Sequence, residues 1–154
     1  IPNKGVVVEG VTPQDVEDIY TIRKTIEGLC ARWAAEKIND EQLKEMKDIL
    51  DLMEFYTTKG QTDKISALDT RFHDIIFQAC DSRPLKSVLT NFHHFIQRAR
   101  LVSIKSTGRA ISSLEEHRNI YEAMEAHDPD AAEKAVIRHV ESARVNIHKY
   151  FENK

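Results

Sequence analysis

Apolar residues recur every three or four positions along most of this chain, which is the spacing of one face of an α-helix. Glycine and proline, the residues that most often interrupt helices, number only five and four among 154 residues. Cap and turn signals such as Thr12-Pro13, Lys59-Gly60 and Asp128-Pro129 divide the pattern into six segments. We expect helices over residues 13–37, 41–58, 63–80, 82–104, 110 or 112–127, and 129–151.

The links between these segments are short, so consecutive helices should pack roughly antiparallel. The chain has the length of a single domain with its own core. The N-terminal IPNKGVVVEG is different, because its three valines lie between two glycines and predict a short strand or extended arm. The expected architecture is all-α, an antiparallel bundle of about six helices over residues 11–154 that follows an extended arm over residues 1–10.

The overall charge and composition exclude several classes of protein. A formal net charge of −3 argues against this chain holding nucleic acid by itself. The sequence shows no signal peptide and no apolar run near the roughly 18 residues of a membrane span. Cys30 and Cys80 are far apart and no CxxC motif occurs, so the sequence favours a reducing, cytoplasmic setting over a disulfide framework.

One acid and three histidines occupy positions where the periodicity predicts a core. Asp69 and His73 are four residues apart, so they share one face of the third helix with apolar residues such as Phe72. His117 and His139 hold equivalent positions on the fifth and sixth helices. A buried carboxylate or imidazole is costly unless it is satisfied or binds something. Four potential ligands from three helices therefore predict a metal site inside the bundle.

The chemistry of these side chains narrows the choice of metal. Three imidazoles and one carboxylate suit zinc, nickel, manganese or iron better than calcium or magnesium, which prefer oxygen ligands. We expect one divalent transition metal, zinc, nickel or manganese, with zinc slightly preferred. Two structural alternatives stay open: Asp69 and His73 could form only a hydrogen-bonded pair within the helix, and each histidine could be a satisfied core residue.

Arg23 is a second unusual inward residue. It lies with Glu27 in the apolar sector of the first helix, so its guanidinium needs a partner. That partner is either Glu27, one turn further on, or the carboxylate of a ligand. Arg100 borders the apolar stripe of the fourth helix, where a ligand contact and a solvated flank are equally compatible with the pattern. Asn146 lies two turns beyond His139 on the same side and could line the same cavity.

Several segments together resemble the FCD effector-binding domain of FadR-type GntR transcriptional regulators, over nearly the whole chain. The resemblance is carried by IRKTIEGLCARWAAEKI from Ile22, DTRFHDII from Asp69, EEHRNIYEAMEAHDPDAAEKA from Glu115 and RHVESA from Arg138. In metal-binding members of that family, the matching acid and histidines hold a divalent ion. FadR itself lacks such a site, so the resemblance places this chain with the metal-dependent branch. It implies the ligands Asp69, His73, His117 and His139.

The resemblance also implies a function. Members of the metal-dependent branch typically sense small carboxylates such as hydroxy acids, sugar acids or dicarboxylates. The arginine of the R-x3-E segment, here Arg23, commonly faces the effector. The family is usually dimeric, so we expect a homodimer. The PNKGVVV segment looks like the last strand of the wing of a winged helix, so we expect a DNA-binding domain to precede this sequence.

Two other functions compete with a ligand sensor. A metal held by aspartate and histidine could activate water in an enzyme that acts on a small organic acid. Against an enzyme, the sequence has no HExxH motif, no evident general base, and no pair of Glu-x-x-His motifs for a di-iron site. A purely structural bundle is the third alternative. We therefore predict a ligand-sensing domain that is not an enzyme.

We expect that this chain alone does not bind duplex DNA. With a net charge of −3 it lacks the cationic surface that neutralises phosphates in non-specific binding. A mobility-shift assay with the purified chain tests this expectation over a range of salt concentrations. Salt-sensitive binding in the micromolar range would contradict it.

Overall fold

The computed structural model describes residues 12–153, and this part of the chain folds into six α-helices joined by short connections. The all-α class predicted from the sequence is confirmed. The extended arm predicted over residues 1–10 lies outside the described residues. The helices are α1 (Pro13–Lys37), α2 (Asp40–Lys59), α3 (Thr62–Cys80), α4 (Arg83–Ile104), α5 (Arg109–Glu125) and α6 (Pro129–Glu152).

Local capping chemistry sets the helix boundaries close to the predicted ones. At the start of α1, the Thr12 hydroxyl accepts from the Asp15 backbone N–H at 3.1 Å, and the Asp15 carboxylate accepts from the Thr12 N–H at 2.8 Å. Asn39 and Gln42 form the same reciprocal pair at the start of α2. Gly60 ends α2 in the left-handed region with φ of 66°, where glycine has no steric penalty.

The C-terminal end of α5 is the largest departure from the predicted boundaries. The helix ends at Glu125, two residues earlier than expected. His127 adopts a left-handed φ of 48°, which is incompatible with continuing the helix. Its Nδ1 lies 2.9 Å from the backbone carbonyl of Ala35. A contact with α1 that is distant in the sequence therefore accompanies the turn.

Helices α1 and α6 form the most extensive pair in the bundle, and α3 packs on the other side of α1. Gly28 lies in the α1–α6 contact, where an added Cβ would come within 3.0 Å of Ile137 Cγ1. The glycine thus allows the close approach of the two helices. Helices α2 and α5 close the bundle beside α3 and α6, and α4 packs mainly against α3 and α6.

Helix α4 buries a narrower face than the sequence pattern indicates. The periodicity assigns Val88 and Phe95 to its inward stripe, but their side chains are 37% and 44% exposed. The buried face instead follows Leu89, Ile96 and Arg100. Apolar residues surround much of this helix, so spacing alone could not tell which stripe meets the core.

Apolar side chains from all six helices meet in one continuous core. Within the described residues, none of the helices is both long enough and apolar enough to cross a membrane. The core is interrupted at its centre by a group of buried charged and polar side chains from α1, α3, α4, α5 and α6. Burial of this group costs more free energy than burial of the apolar core, and charged side chains are therefore rarely buried unless they are paired.

Candidate metal and ligand site

Three helices bring together the four residues that the sequence pattern singled out. Helix α3 contributes Asp69 and His73 one turn apart, α5 contributes His117, and α6 contributes His139. One potential ligand atom from each residue lies within 4.8 Å of the other three. All four side chains are buried, with exposures between 0% and 6%.

The separations between these atoms suit a small divalent ion. His73 Nε2 lies 3.3 Å from both Asp69 Oδ1 and His139 Nε2. Ligand atoms about 2.0–2.2 Å from one ion stand roughly 3–3.5 Å apart when they are adjacent. His117 Nε2 and Asp69 Oδ1 are closer, at the hydrogen-bond distance of 2.6 Å.

The orientation of His117 requires a proton or a cation between its ring and Asp69. Its Nδ1 lies 2.6 Å from the backbone carbonyl of Ser113, which can only accept, so the Nδ1 proton is fixed. Without a second proton on Nε2, His117 would direct a lone pair at the Asp69 carboxylate, which is also an acceptor. A proton or a metal ion must separate two such acceptors. Histidines that bind metals usually hold their other ring nitrogen in this way.

His139 has a carboxylate near its outer ring nitrogen, at ion-pair distance but not aligned for a hydrogen bond. Its Nδ1 lies 3.4 Å from Glu116 Oε1, and Glu116 in turn accepts hydrogen bonds from Arg109. The carboxylate therefore lies behind the imidazole, while Nε2 points towards His73. Sequence reasoning missed Ser113, Glu116 and Arg109. Ser113 and Glu116 lie four residues and one residue before His117, and Ser113 occupies the same helical face.

The electrostatic surroundings keep two of the histidines neutral and the aspartate ionised. Burial, followed by the charge of Arg100, lowers the pKa of His73 to about 3. Burial, followed by the nearby His117, lowers the pKa of His139 to about 4. Burial raises the pKa of Asp69. Arg100 and His73 together lower it by a larger amount, so the pKa lies well below its usual value. Both histidines are therefore neutral at pH 7 and Asp69 is a carboxylate.

A chain of alternating buried charges leads from α1 to this cluster. Arg23 Nε donates to Glu27 Oε2 at 2.6 Å. Arg100 Nη2 lies 3.6 Å from Glu27 Oε1, and Arg100 Nε lies 3.3 Å from Asp69 Oδ2. The Arg23–Glu27 pair left open by the sequence is therefore present. Arg100 is buried and bridges two acids, so it does not occupy a solvated flank.

Several polar atoms beside this chain of charges have no hydrogen-bond partner among the described residues. They are Tyr20 Oη, Arg23 Nη1, Glu27 Oε1, and Arg100 Nε and Nη2. The Arg100 atoms lie at ion-pair distance from carboxylates but are not aligned for hydrogen bonds. Buried donors without acceptors are rare in proteins and often mark a binding position. Here the unpaired donors come from α1 and α4 and lie beside the candidate metal ligands.

A surface cleft of about 320 Å³ between α3 and α4 leads to Arg100. Its polar lining includes one acid, Asp74, together with Gln78, Lys86, Thr90 and His93. Arg100 therefore belongs both to this cleft and to the buried chain of charges.

Asn146 is half-buried, and its side-chain amide is already engaged. Nδ2 donates to the backbone carbonyl of Ser103 at 2.8 Å and contacts the Ser103 hydroxyl at 3.1 Å. These contacts join α6 to the end of α4. A role for Asn146 in ligand binding remains a prediction from the sequence.

The chain is thus an all-α domain that encloses a polar site at its centre. The FCD domain family matches residues 18–142, and the chain belongs to that family. Similar proteins include the HTH-type transcriptional regulator YdhC of Bacillus subtilis, with 28% identity over 136 residues, which are 88% of this chain and 61% of the relative. The HTH-type transcriptional repressor RspR of Escherichia coli is 25% identical over 148 residues, which are 96% of this chain and 65% of the relative.

A solved structure confirms the fold. The GntR protein of Streptococcus agalactiae superposes with a TM-score of 0.73 and 25% identity, over 91% of this chain and 63% of that protein. The chain spans about three-fifths of the length of the relatives that it matches. These relatives are named as transcriptional regulators, which contain more sequence than the helical domain described above.

We expect Glu27→Gln to destabilise the fold strongly. Glu27 is the carboxylate shared by Arg23 and Arg100, so its neutralisation leaves two buried guanidinium groups with less counter-charge. Breaking a buried ion pair costs roughly 3–5 kcal/mol. Urea denaturation of metal-free protein measures the loss. Glu36→Gln, at an exposed position on the same helix, is the control and should change stability by no more than about 0.5 kcal/mol. Equal stabilities of the two variants would contradict the role assigned to Glu27.

Proposed function

We propose that this chain is the effector-binding domain of a transcriptional regulator that acts in the cytoplasm. The domain holds one divalent transition metal through Asp69, His73, His117 and His139, and it binds a small carboxylate beside the metal. Binding controls a DNA-binding domain on the N-terminal side of the chain, with residues 1–10 forming the end of its wing. The observation that carries the proposal is the convergence of four buried ligand atoms within 4.8 Å.

The named relatives support a regulatory function. They are transcriptional regulators and repressors of the HTH type, and none of those described above is named as an enzyme. A further relative, the Galactonate operon transcriptional repressor of Escherichia coli, is 24% identical over 133 residues. Galactonate is a sugar acid and hence a small carboxylate. These names favour a sensor over an enzyme that acts on an organic acid.

The ligand atoms determine which metals suit the site. Three imidazole nitrogens and one carboxylate oxygen favour zinc, nickel or manganese, and zinc is slightly preferred. A bound ion of this kind supplies positive charge and free coordination positions that attract a carboxylate. The protein supplies fixed ring orientations through Ser113 and Glu116, and a buried surrounding that strengthens electrostatic attraction.

The effector's acid group has two arginines available. Arg100 lines the cleft and has two donors without hydrogen-bond partners among the described residues. Arg23 has one such donor, because its Nε is already engaged by Glu27. Arg100 is therefore the stronger candidate for contact, and Arg23 and Tyr20 are secondary ones. The polar lining of the cleft suits an effector with hydroxyl groups or a second carboxylate.

An effector bound at this position would contact several helices at once. Arg23 belongs to α1, Asp69 to α3 and Arg100 to α4, so a ligand between them favours one arrangement of these helices. A ligand shifts a conformational equilibrium only through such a difference in affinity. Arg23 lies about three helical turns from Pro13, where α1 begins. Displacement of α1 is therefore the most direct route to a domain on the N-terminal side.

Two half-exposed apolar stripes support the proposal of a homodimer. One lies on α1 and the other on α4. Both follow the alternating three- and four-residue spacing of a helix face that packs against another helix. Ile22, Val88 and Phe95 within them are each at least 37% exposed. We propose that the two stripes form the contact between copies of the chain. They comprise Ile19, Ile22, Ile26, Leu29 and Trp33 on α1, and Val88, Phe92, Phe95, Ala99 and Val102 on α4.

We expect the purified chain to hold about one divalent transition metal. His73→Ala and His139→Ala should each remove most of it, because each deletes one of four ligands. His94→Ala removes an exposed histidine and should leave the metal content unchanged. Elemental analysis of the three variants beside the wild type measures the effect. Unchanged metal in both ligand variants would contradict the assignment.

Removal of the metal should lower the melting temperature reversibly. A ligand that binds only the folded state stabilises it by about 2.7 kcal/mol at a free concentration 100 times its dissociation constant. Thermal denaturation before and after chelation, and again after adding metal back, measures the change. A melting temperature that does not respond to chelation would show that the ion is not bound by the folded core.

We expect a small carboxylate to bind to the metal-loaded protein and not to the chelated protein. Replacement of Arg100 by Gln should weaken binding roughly ten- to a hundredfold, because a buried charge-assisted hydrogen bond contributes roughly 1.5–3 kcal/mol. Arg23→Gln should have a smaller effect in the same direction. A calorimetric screen of hydroxy, sugar and dicarboxylic acids measures these affinities, with Arg98→Gln as the exposed control on α4.

Two outcomes would contradict parts of this mechanism. Equal affinity for chelated and metal-loaded protein would show that the metal does not anchor the acid. Wild-type affinity in both the Arg100 and Arg23 variants would show that these arginines serve only the ion pairs with Glu27 and Asp69.

A further inference from the structure

The fold brings together the two cysteines, which are far apart in the sequence. Cys30 lies on α1 and Cys80 is the last residue of α3, and both side chains are buried. Cys30 Sγ is 3.9 Å from the backbone carbonyl of Ile76, in the turn of α3 that leads to Cys80. The Cys30 thiol therefore lies against the last turn of α3, beside Cys80.

The surroundings distinguish the two sulfurs. The neighbouring Cys30 thiol lowers the pKa of Cys80; burial opposes this effect, and the Ser82 backbone N–H and the charge of Lys37 lower the pKa further. Lys37 also donates to the Cys80 carbonyl at 3.0 Å. The neighbouring Cys80 and burial both raise the pKa of Cys30. Cys80 is therefore the sulfur that more readily becomes a nucleophilic thiolate.

The chain next to the pair is accessible to small solutes. A surface cleft of about 640 Å³ is lined by residues that adjoin Cys80 in sequence, together with residues of α1 one to two turns beyond Cys30. Its lining includes the cations Lys37 and Arg83. The cleft therefore brings a small neutral oxidant such as hydrogen peroxide to the residues that follow Cys80, whose own side chain is buried.

We propose that Cys30 and Cys80 form an oxidisable dithiol, a modification site that hydrogen peroxide converts into an intramolecular disulfide between α1 and α3. In the first step the Cys80 thiolate attacks one peroxide oxygen, the O–O bond breaks, and hydroxide leaves and is protonated to water. Cys80 is then a sulfenic acid. In the second step the Cys30 sulfur attacks the Cys80 sulfur, the S–O bond breaks, and the hydroxyl group leaves with the Cys30 proton as water. The two thiols together lose two electrons, and these reduce one peroxide to two waters.

The disulfide would connect the helices that carry the two parts of the buried site. Cys30 lies one turn after Glu27 on α1, and Cys80 lies two turns after His73 on α3. A covalent link at this point fixes α1 relative to α3. It therefore limits any rearrangement of α1, whether or not that rearrangement is driven by an effector. The disulfide itself forms independently of metal binding.

Peroxide treatment of the folded wild-type chain tests the proposal. We expect both thiols to be lost, the mass to fall by about 2 Da without reduction, and dithiothreitol to reverse both changes. The oxidised protein should melt on the order of 10 °C higher, because a crosslink that closes a long loop restricts the unfolded chain. Cys30→Ser and Cys30→Ala should stop at a sulfenic acid on Cys80 that dimedone traps. Cys80→Ser and Cys80→Ala should consume peroxide at least about tenfold more slowly.

Circular dichroism shows whether each variant is folded. Each cysteine is replaced by both Ser and Ala, so that the test can still be made if one of the two variants does not fold. Three results would overturn the proposal. The first is thiols that react only after denaturation, as expected of two cysteines that serve only as small core residues. The second is a disulfide between chains on a non-reducing gel. The third is equal peroxide reactivity of the Cys80 variants and the wild type.

Discussion

The centre of this structure depends on the buried Asp69 carboxylate and the groups that offset the cost of burying it. Removing a carboxylate from water costs several kcal/mol even after the protein relaxes, so an unpaired acid at this position would be strongly destabilising. His117 lies 2.6 Å from one carboxylate oxygen and Arg100 lies 3.3 Å from the other. Because these partners belong to α5 and α4, one acid on α3 links three helices.

Two further sets of contacts connect Asp69 to the rest of the buried polar group. Arg100 also faces Glu27 on α1, and Glu27 holds Arg23. His73, one turn after Asp69, lies 3.3 Å from His139 on α6. The candidate metal ligands and the buried ion pairs are therefore one electrostatic unit. In such a unit the binding of an ion or an acid alters the interactions of four or five helices, and this is the physical basis on which we propose a sensor.

Much of the fold could be predicted because its signals are local. Thr12 and Asn39 cap helices through side chains three residues away, and Gly60 ends a helix through its own backbone. The convergence of the acid and three histidines could be predicted for a related reason. Each lies on the apolar face of its helix, and the apolar faces of a bundle must meet.

The features that could not be predicted depend on contacts between distant segments. The pattern left Arg100 between a ligand contact and a solvated flank, and only the packing of α4 against α3 shows that it is buried. The same packing leaves Phe95 exposed, although its spacing suits the core. The Cys30–Cys80 contact has no local signal at all. His127 terminates α5 together with a contact to Ala35 that the sequence around it does not indicate.

The central claim is that Asp69, His73, His117 and His139 bind a metal. Its most direct test is X-ray absorption spectroscopy of the metal-loaded chain, measured at the absorption edge of the bound metal. The structure predicts three imidazole nitrogens and one carboxylate oxygen at about 2.0–2.2 Å, with any further ligands being oxygens of water or of the effector. A shell made only of oxygens would contradict the account. A sulfur neighbour at about 2.3 Å would also contradict it, because the metal would then be held by Cys30 or Cys80 and not by the histidine cluster.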